Sequence, residues 1–227
     1  MYTLHIANKN YSSWSLRPWL LLRALDIPFA ERMHPLGDIS GKFTDFSPSG
    51  KVPCLVDGDT VVWDSLAIAE YLAERHAGVW PTDARARAWA RSAAAEMHSG
   101  FSALRNQHGM NVGVRVAVTG RSPQLLADIA RIEDLWNDGL TRFGGPFLAG
   151  RQFTAVDAFF APVAYRFRSY GVTLHGAAAG YLQTLLAYPA MLEWETAALA
   201  EDFREAAHEA ELAAAGSVTA DLRVPAK

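Results

Sequence analysis

Apolar and polar positions divide the chain into two stretches with different periodicity. Residues 2–7, Tyr-Thr-Leu-His-Ile-Ala, alternate as a strand does. A polar turn over 8–13 follows, and residues 16–25 form an apolar run of helical length. Pro18 falls early in that run, where a missing N–H costs little because first-turn donors lack intrahelical partners anyway. Residues 27–34 predict a second strand, 52–56 a third and 60–63 a fourth, with Asp57-Gly58 as the hairpin signal before the last. Between the second and third strands, 37–46 is a polar connection assigned a short helix. Residues 65–75 predict a helix with Leu66, Ile68, Ala69 and Leu72 available to one face. The order β-α-β-α-β-β-α suits a small mixed sheet with helices on its faces.

Past Gly78 the alternation stops. Helical runs cover 83–108, 122–142, 154–169, 178–186 and 189–201. They are separated by breakers such as Gly120–Pro123, Gly144-Gly145-Pro146 and Tyr188-Pro189. The Ala-rich tail from Ala206 predicts a last helix and then a loose end. This change places one domain at 1–78, a linker at 79–84 and an all-helical domain at 85–227.

Composition narrows the possible functions. The 227 residues are 50% hydrophobic and 20% charged with net charge −3, and no dense Lys/Arg run gives a reason to expect nucleic acid. The single cysteine, Cys54, suits a reducing compartment. No stretch approaches the roughly 18 apolar residues of a membrane span, and the amino terminus lacks a signal-peptide pattern. A cytoplasmic location is expected. The seven histidines show no metal-ligand spacing, and neither a phosphate-binding loop nor a dinucleotide fingerprint is present.

Four segments carry candidate chemistry. Tyr11-Ser-Ser-Trp-Ser-Leu-Arg17 opens the first helix, so Ser12, Ser13 and Ser15 are candidate helix caps. Ser47-Pro-Ser-Gly-Lys-Val-Pro-Cys-Leu55 places Val52-Pro53 before the third strand. Trp63-Asp-Ser-Leu-Ala-Ile-Ala-Glu-Tyr-Leu72 opens a helix with an acidic residue and a serine. Phe153-Thr-Ala-Val-Asp157 is a capping box. In this order and spacing they resemble the cytosolic glutathione transferase family over nearly the whole chain, nearest to its serine-type zeta and theta classes.

The resemblance implies a thioredoxin-like α/β amino-terminal domain with a mixed four-stranded sheet, and an all-α carboxy-terminal domain. It implies glutathione as co-substrate, no metal, a small electrophile as the second substrate, and a homodimer. Anchored on Ile27-Pro28-Phe29, the family's catalytic serine falls on Ser12. The family's proline matching Pro53 is cis, which turns the Val52 N–H and C=O toward the tripeptide so that it pairs like an added strand. Ser65 and the first amides of its helix imply an anion site for the γ-glutamyl carboxylate, and Asp64, where Glu or Gln is usual, would meet the ammonium group. The glutathione-binding set is therefore Ser13, Lys51, Val52, Pro53, Asp64 and Ser65. A cleft between the domains would hold the electrophile, with Tyr11, Trp14, Met97, Phe101, Arg105 and Arg168 as its candidates. Arg105, Arg166 and Arg168 are candidates for binding an anionic substrate. Arg168 stands one residue short of the zeta-class position for that role.

The chemistry expected of Ser12 is stabilisation of the glutathione thiolate, since a hydrogen bond to sulfur and a helix N-terminus both favour the anion. Trp14 stands where the zeta pattern has a cysteine, which argues against mixed-disulfide chemistry. Cys54 is expected to be a small buried core residue. The leading expectation is a detoxification-type glutathione transferase. Its alternatives are a zeta-like isomerase of a dienoic acid and a non-catalytic stress or adaptor protein of the same fold.

Overall fold

A computed structural model describes residues 1–37 and 43–226. Four strands, β1 (Tyr2–Ala7), β2 (Phe29–His34), β3 (Cys54–Asp57) and β4 (Thr60–Val62), form one sheet in the order β2-β1-β3-β4. β1 and β2 run parallel, from Tyr2 opposite Phe29 to Ala7 opposite His34, because helix α1 (Ser13–Ala24) carries the chain back between them. β3 pairs antiparallel with β1 and with β4. The β3–β4 hairpin turns through Gly58 and Asp59, and Gly58 takes the left-handed φ of 59° that such a tight loop requires. Helix α2 (Ser65–Ala73) ends this half. The mixed four-stranded sheet is the one expected. Residues 43–46 form a single hydrogen-bonded turn closed by Ser47 N–H on the Phe43 carbonyl. The remainder of the short helix expected at 37–46 lies outside the described residues.

The second half is built on α3 (Ala84–Ser99), α4 (Ser102–Gln107), α5 (Pro123–Phe143), α6 (Ala155–Ser169), α7 (Gly176–Leu186) and α8 (Pro189–Leu199), followed by α9 (Ala206–Ala215). The run expected over 83–108 is two helices. α3 ends on Gly100, where a Cβ would stand 2.9 Å from the Glu96 carbonyl oxygen, and Phe101 then takes a φ of 59°.

The helical half also contains a two-stranded antiparallel sheet. β5 (Val114–Val118) pairs with β6 (Gly216–Asp221), so the domain is not purely helical and the tail is not loose. Val-Arg-Val-Ala-Val does alternate, but its partner lies about a hundred residues away, and a lone five-residue strand is too short to stand out among helices.

α6 is buried along almost its whole length and packs on both α1 and α3. One apolar cluster runs from Leu4, Ile6 and Leu55 of the sheet through Trp19 and Leu20 of α1 to Trp136, Phe160 and Trp194 of the helical half. Burial on this scale is the main favourable term in folding. It also fixes the N-terminus of α1 at the junction of the halves.

Candidate active site

The loop entering α1 is anchored on several sides. The Glu201 carboxylate accepts from the Lys9 and Asn10 N–H groups at 2.7 and 3.2 Å, and the Lys9 carbonyl accepts from the Trp194 indole at 2.9 Å. The Asn10 side chain accepts from Gly113 N–H at 3.0 Å. These bonds bring Tyr11 to Trp14 to the mouth of a cavity of about 330 Å³. Its other walls include Lys51 and Val52 from the sheet half, Arg105 and Arg166 from the helical half, and His208 and Glu211 from α9. A second cavity of about 390 Å³ adjoins it across Trp14, Lys51 and Val52 and is walled by Pro53, Trp63, Asp64 and His98.

Ser12 occupies the N-cap position of α1, but its hydroxyl makes no capping bond. It donates instead to the Ser15 hydroxyl at 2.7 Å, which in turn accepts from Ala7 N–H at 3.1 Å. Ser12 lines the cavity at the positive end of α1, with its hydroxyl hydrogen directed to Ser15. The Ser13 hydroxyl accepts from Arg166 at 3.3 Å. Across the cavity the Val52–Pro53 bond is cis. Among the described residues, the Val52 N–H and C=O have no hydrogen-bond partner.

At α2 the two candidates are placed differently. Asp64 caps the helix, accepting from Leu66 N–H at 3.0 Å, and its other oxygen lies 3.3 Å from His98 Nε2. Ser65 is fully buried and outside the lining of both cavities, and its hydroxyl accepts from Arg17 at 3.4 Å.

Three arginines surround this junction. Arg17 and Arg105 stack over the Trp14 ring at 4.2 and 4.7 Å, and Arg17 also faces Phe159 at 4.8 Å. Arg166 donates to the His108 carbonyl, and Arg105 donates to the Gly100 and Met97 carbonyls. Among the described residues none of the three has a carboxylate within ion-pair distance, and Arg17 Nε and Nη2 have no partner at all. Burial, and then the charges of Arg105 and Arg166, push the Arg17 guanidinium well below the ordinary arginine range. Burial, and then Arg105, bring Arg166 down to about 10. Arginine nevertheless keeps its charge in proteins, so the junction holds a largely buried cationic cluster.

The remaining candidates divide. Tyr11, Trp14 and Arg105 line the first cavity. Met97 and Phe101 are buried behind its wall. Arg168 lies off the cavity, in a two-bond ion pair with Glu195 at 2.8 and 2.9 Å. Two helical residues turn the side chain by about 200°, so Arg166 faces the cavity and Arg168 the opposite side. Sequence reasoning assigned no role to Arg17, His98, His208 or Glu211. Arg17 did leave a signal, a charge near the start of an apolar helical run, three residues after Trp14. His208 and Glu211 left none, because they reach the cavity only through the path of the tail.

The sheet half is thioredoxin-like, and the helical half packs beside it with a hydroxyl-lined cavity between them. Residues 11–75 match the family model described as Glutathione S-transferase, N-terminal domain, and residues 82–197 match the one described as Glutathione S-transferase, C-terminal domain. The chain belongs to the glutathione S-transferase family. It is 29% identical over 154 residues to a zeta-class glutathione S-transferase of Euphorbia esula, covering 66% of this chain and 68% of that protein. It is 44% identical over 62 residues to a dichloromethane dehalogenase of Methylorubrum extorquens, a match that spans only 25% of this chain and 22% of the dehalogenase. A glutathione transferase homologue from Burkholderia, solved with bound glutathione, shares the fold with a TM-score of 0.64 at 23% identity, over 87% of this chain and 97% of that one.

Proposed function

We propose that this chain is a glutathione transferase in which Ser12 stabilises the thiolate of glutathione for attack on a small electrophile. The carrying observation is Ser12, which stands at the N-terminus of α1 in the wall of a cavity shared with Val52, and whose hydroxyl makes no capping bond; on binding, its hydrogen turns from Ser15 to the sulfur. The tripeptide lies along Lys51–Pro53 and pairs with the free Val52 backbone. Its γ-glutamyl end enters the cavity of Trp63, Asp64 and His98. Ser65 acts from behind, through Arg17 and the start of α2, and Ser13 orients Arg166. Lowering the thiol pKa by about two units takes roughly 2.7 kcal/mol. One hydrogen bond to a charged acceptor, about 1.5–3 kcal/mol, supplies that order. The electrophile lies against Tyr11, Trp14 and Arg105. As in the family generally, the working form is a cytoplasmic homodimer.

Ser12→Ala tests the assignment. The pKa of bound glutathione, followed by thiolate absorbance, rises, and turnover of chlorodinitrobenzene falls by about tenfold to a hundredfold, while glutathione still binds. An unchanged thiol pKa and rate would remove Ser12 from the mechanism.

Arg105 and Arg166 in the cavity wall favour a second reading, glutathione-dependent cis–trans isomerisation of an anionic dienoic acid. Product analysis separates the two, because isomerisation returns glutathione and conjugation consumes it.

A further inference from the structure

The family match ends at residue 197, yet the chain beyond it supplies one wall of the cavity. Glu201 holds the loop before α1, β6 pairs with β5, and α9 lies between them. Two candidate proton-transfer groups meet there, Tyr11 and His208, with ring centroids 5.1 Å apart. They are held very differently.

The Tyr11 hydroxyl is engaged on both sides. It donates to Glu209 at 2.8 Å and accepts from Arg223 at 3.1 Å, while Arg223 is itself paired with Glu209 and Asp221. Burial, and then the Glu209 bond, push the Tyr11 phenol up. His208 is held on one side only. Its Nδ1 lies 2.7 Å from Glu205 Oε2, the same oxygen that accepts from His208 N–H at 2.8 Å. A carboxylate only accepts, so Nδ1 carries the hydrogen and the ring orientation is fixed. His208 Nε2 has no partner among the described residues, and the side chain lines the cavity that also holds Ser12. A carboxylate orients the imidazole and leaves the second nitrogen free in a reaction cavity, which is the arrangement general acid–base chemistry needs.

We propose that His208 is the proton donor for electrophiles whose attack by thiolate leaves negative charge on the acceptor. The proposal rests on the glutathione reading above. With an α,β-unsaturated ketone, the sulfur electron pair forms the C–S bond. The π pair of the alkene moves onto the carbonyl oxygen as an enolate, and the His208 imidazolium passes its Nε2 proton to that enolate. The imidazole then takes up the proton that the thiol released, so the net reaction is addition of S–H across the double bond. An aryl chloride needs no such donor, because chloride leaves with the bonding pair. The charged and titratable groups around His208 are Glu205, Glu209 and Glu211 of its own segment, Tyr11 from the α1 loop and Arg223 beyond β6.

The test compares the full wild-type chain with His208→Ala and His208→Gln, using glutathione with phenylbutenone and with chlorodinitrobenzene. The ratio of kcat/KM for the enone to that for the aryl chloride should fall by about a hundredfold in both variants. Added imidazole should restore part of the enone rate in His208→Ala. A variant that loses both rates in parallel, or neither, overturns the role of His208, as does a wild-type chain that turns over the aryl chloride alone. A wild-type chain that turns over neither electrophile overturns the glutathione reading along with it.

Discussion

Asp157 and the arginine cluster are both buried charge, and they are treated in opposite ways. Asp157, in the first turn of α6, accepts from Leu148 N–H at 3.0 Å, Thr154 N–H at 2.9 Å, the Thr154 hydroxyl at 3.3 Å and the Tyr181 hydroxyl at 2.9 Å. Burial pushes its carboxyl up to about 6 even against those four bonds. The Leu148 and Tyr181 bonds tie α6 to neighbouring segments and the Thr154 bonds cap its own N-terminus, so this charge serves the fold. Arg17, by contrast, donates one long bond to Ser65 and leaves two nitrogens unpartnered, with Arg105 and Arg166 adding to its positive charge. A satisfied buried charge ties segments together, whereas an unsatisfied one lowers stability. The contrast is between a charge whose hydrogen bonds are complete and one whose hydrogen bonds are not.

The largest expected effect is on the satisfied side. Asp157→Ala leaves the donors of Leu148, Thr154 and Tyr181 buried without acceptors and should cost about 3–4 kcal/mol in urea denaturation. Glutathione binding by the folded fraction should be preserved.

His108 probes the cationic side at intermediate size. Its ring lies flat on Tyr170 with centroids 4.2 Å apart, and neither ring nitrogen has a partner among the described residues. Burial, and then Arg121 and Arg166, bring it from 6.5 down to about 4. The folded chain thus binds this proton more weakly than the unfolded chain. The contribution is fully present above pH 6.5 and is lost as pH falls toward about 4, a change of about 2–3 kcal/mol. His108→Phe should remove that part of the acid decline, read as the difference in urea midpoints between pH 7 and 4.5. An unchanged acid decline would mean that the cluster does not hold His108 neutral.

The smallest effect on stability belongs to Arg17→Met. Removing an unpaired buried guanidinium while keeping its apolar bulk should leave stability unchanged or slightly raised, and the pKa of the bound glutathione thiol should rise. If Arg17→Met loses as much stability as Asp157→Ala, the two regions are alike and the comparison fails.

Much of this molecule can be read along the chain because it depends on neighbouring residues. The strands at 2–7 and 60–62, the hairpin through Gly58 and the helices from Pro123, Ala155 and Pro189 follow from periodicity and local punctuation. The positions of Ser12 at the mouth of α1 and of Val52-Pro53 before the third strand follow from motif order.

Other features depend on long-range packing and are not legible locally. The pairing of Val114–Val118 with Gly216–Asp221 joins segments about a hundred residues apart. The exchange of Arg168 for Arg166 at the cavity depends on the rotation of α6 about its axis, which its packing against α1 and α3 decides. The use of the Ser12 hydroxyl depends on Ser15, and the burial of Arg17 behind Trp14 depends on the meeting of α1 and α6. The sequence by itself determined the elements of the sheet half and most of the helices, the family motifs and the serine that opens the first helix, since each is set by residues within a few positions of one another. Only the tertiary structure decided which arginine faces the cavity, that three of them gather there unpaired, and that the tail brings His208 to the same wall, because those facts are contacts between surfaces that exist only after the chain has packed.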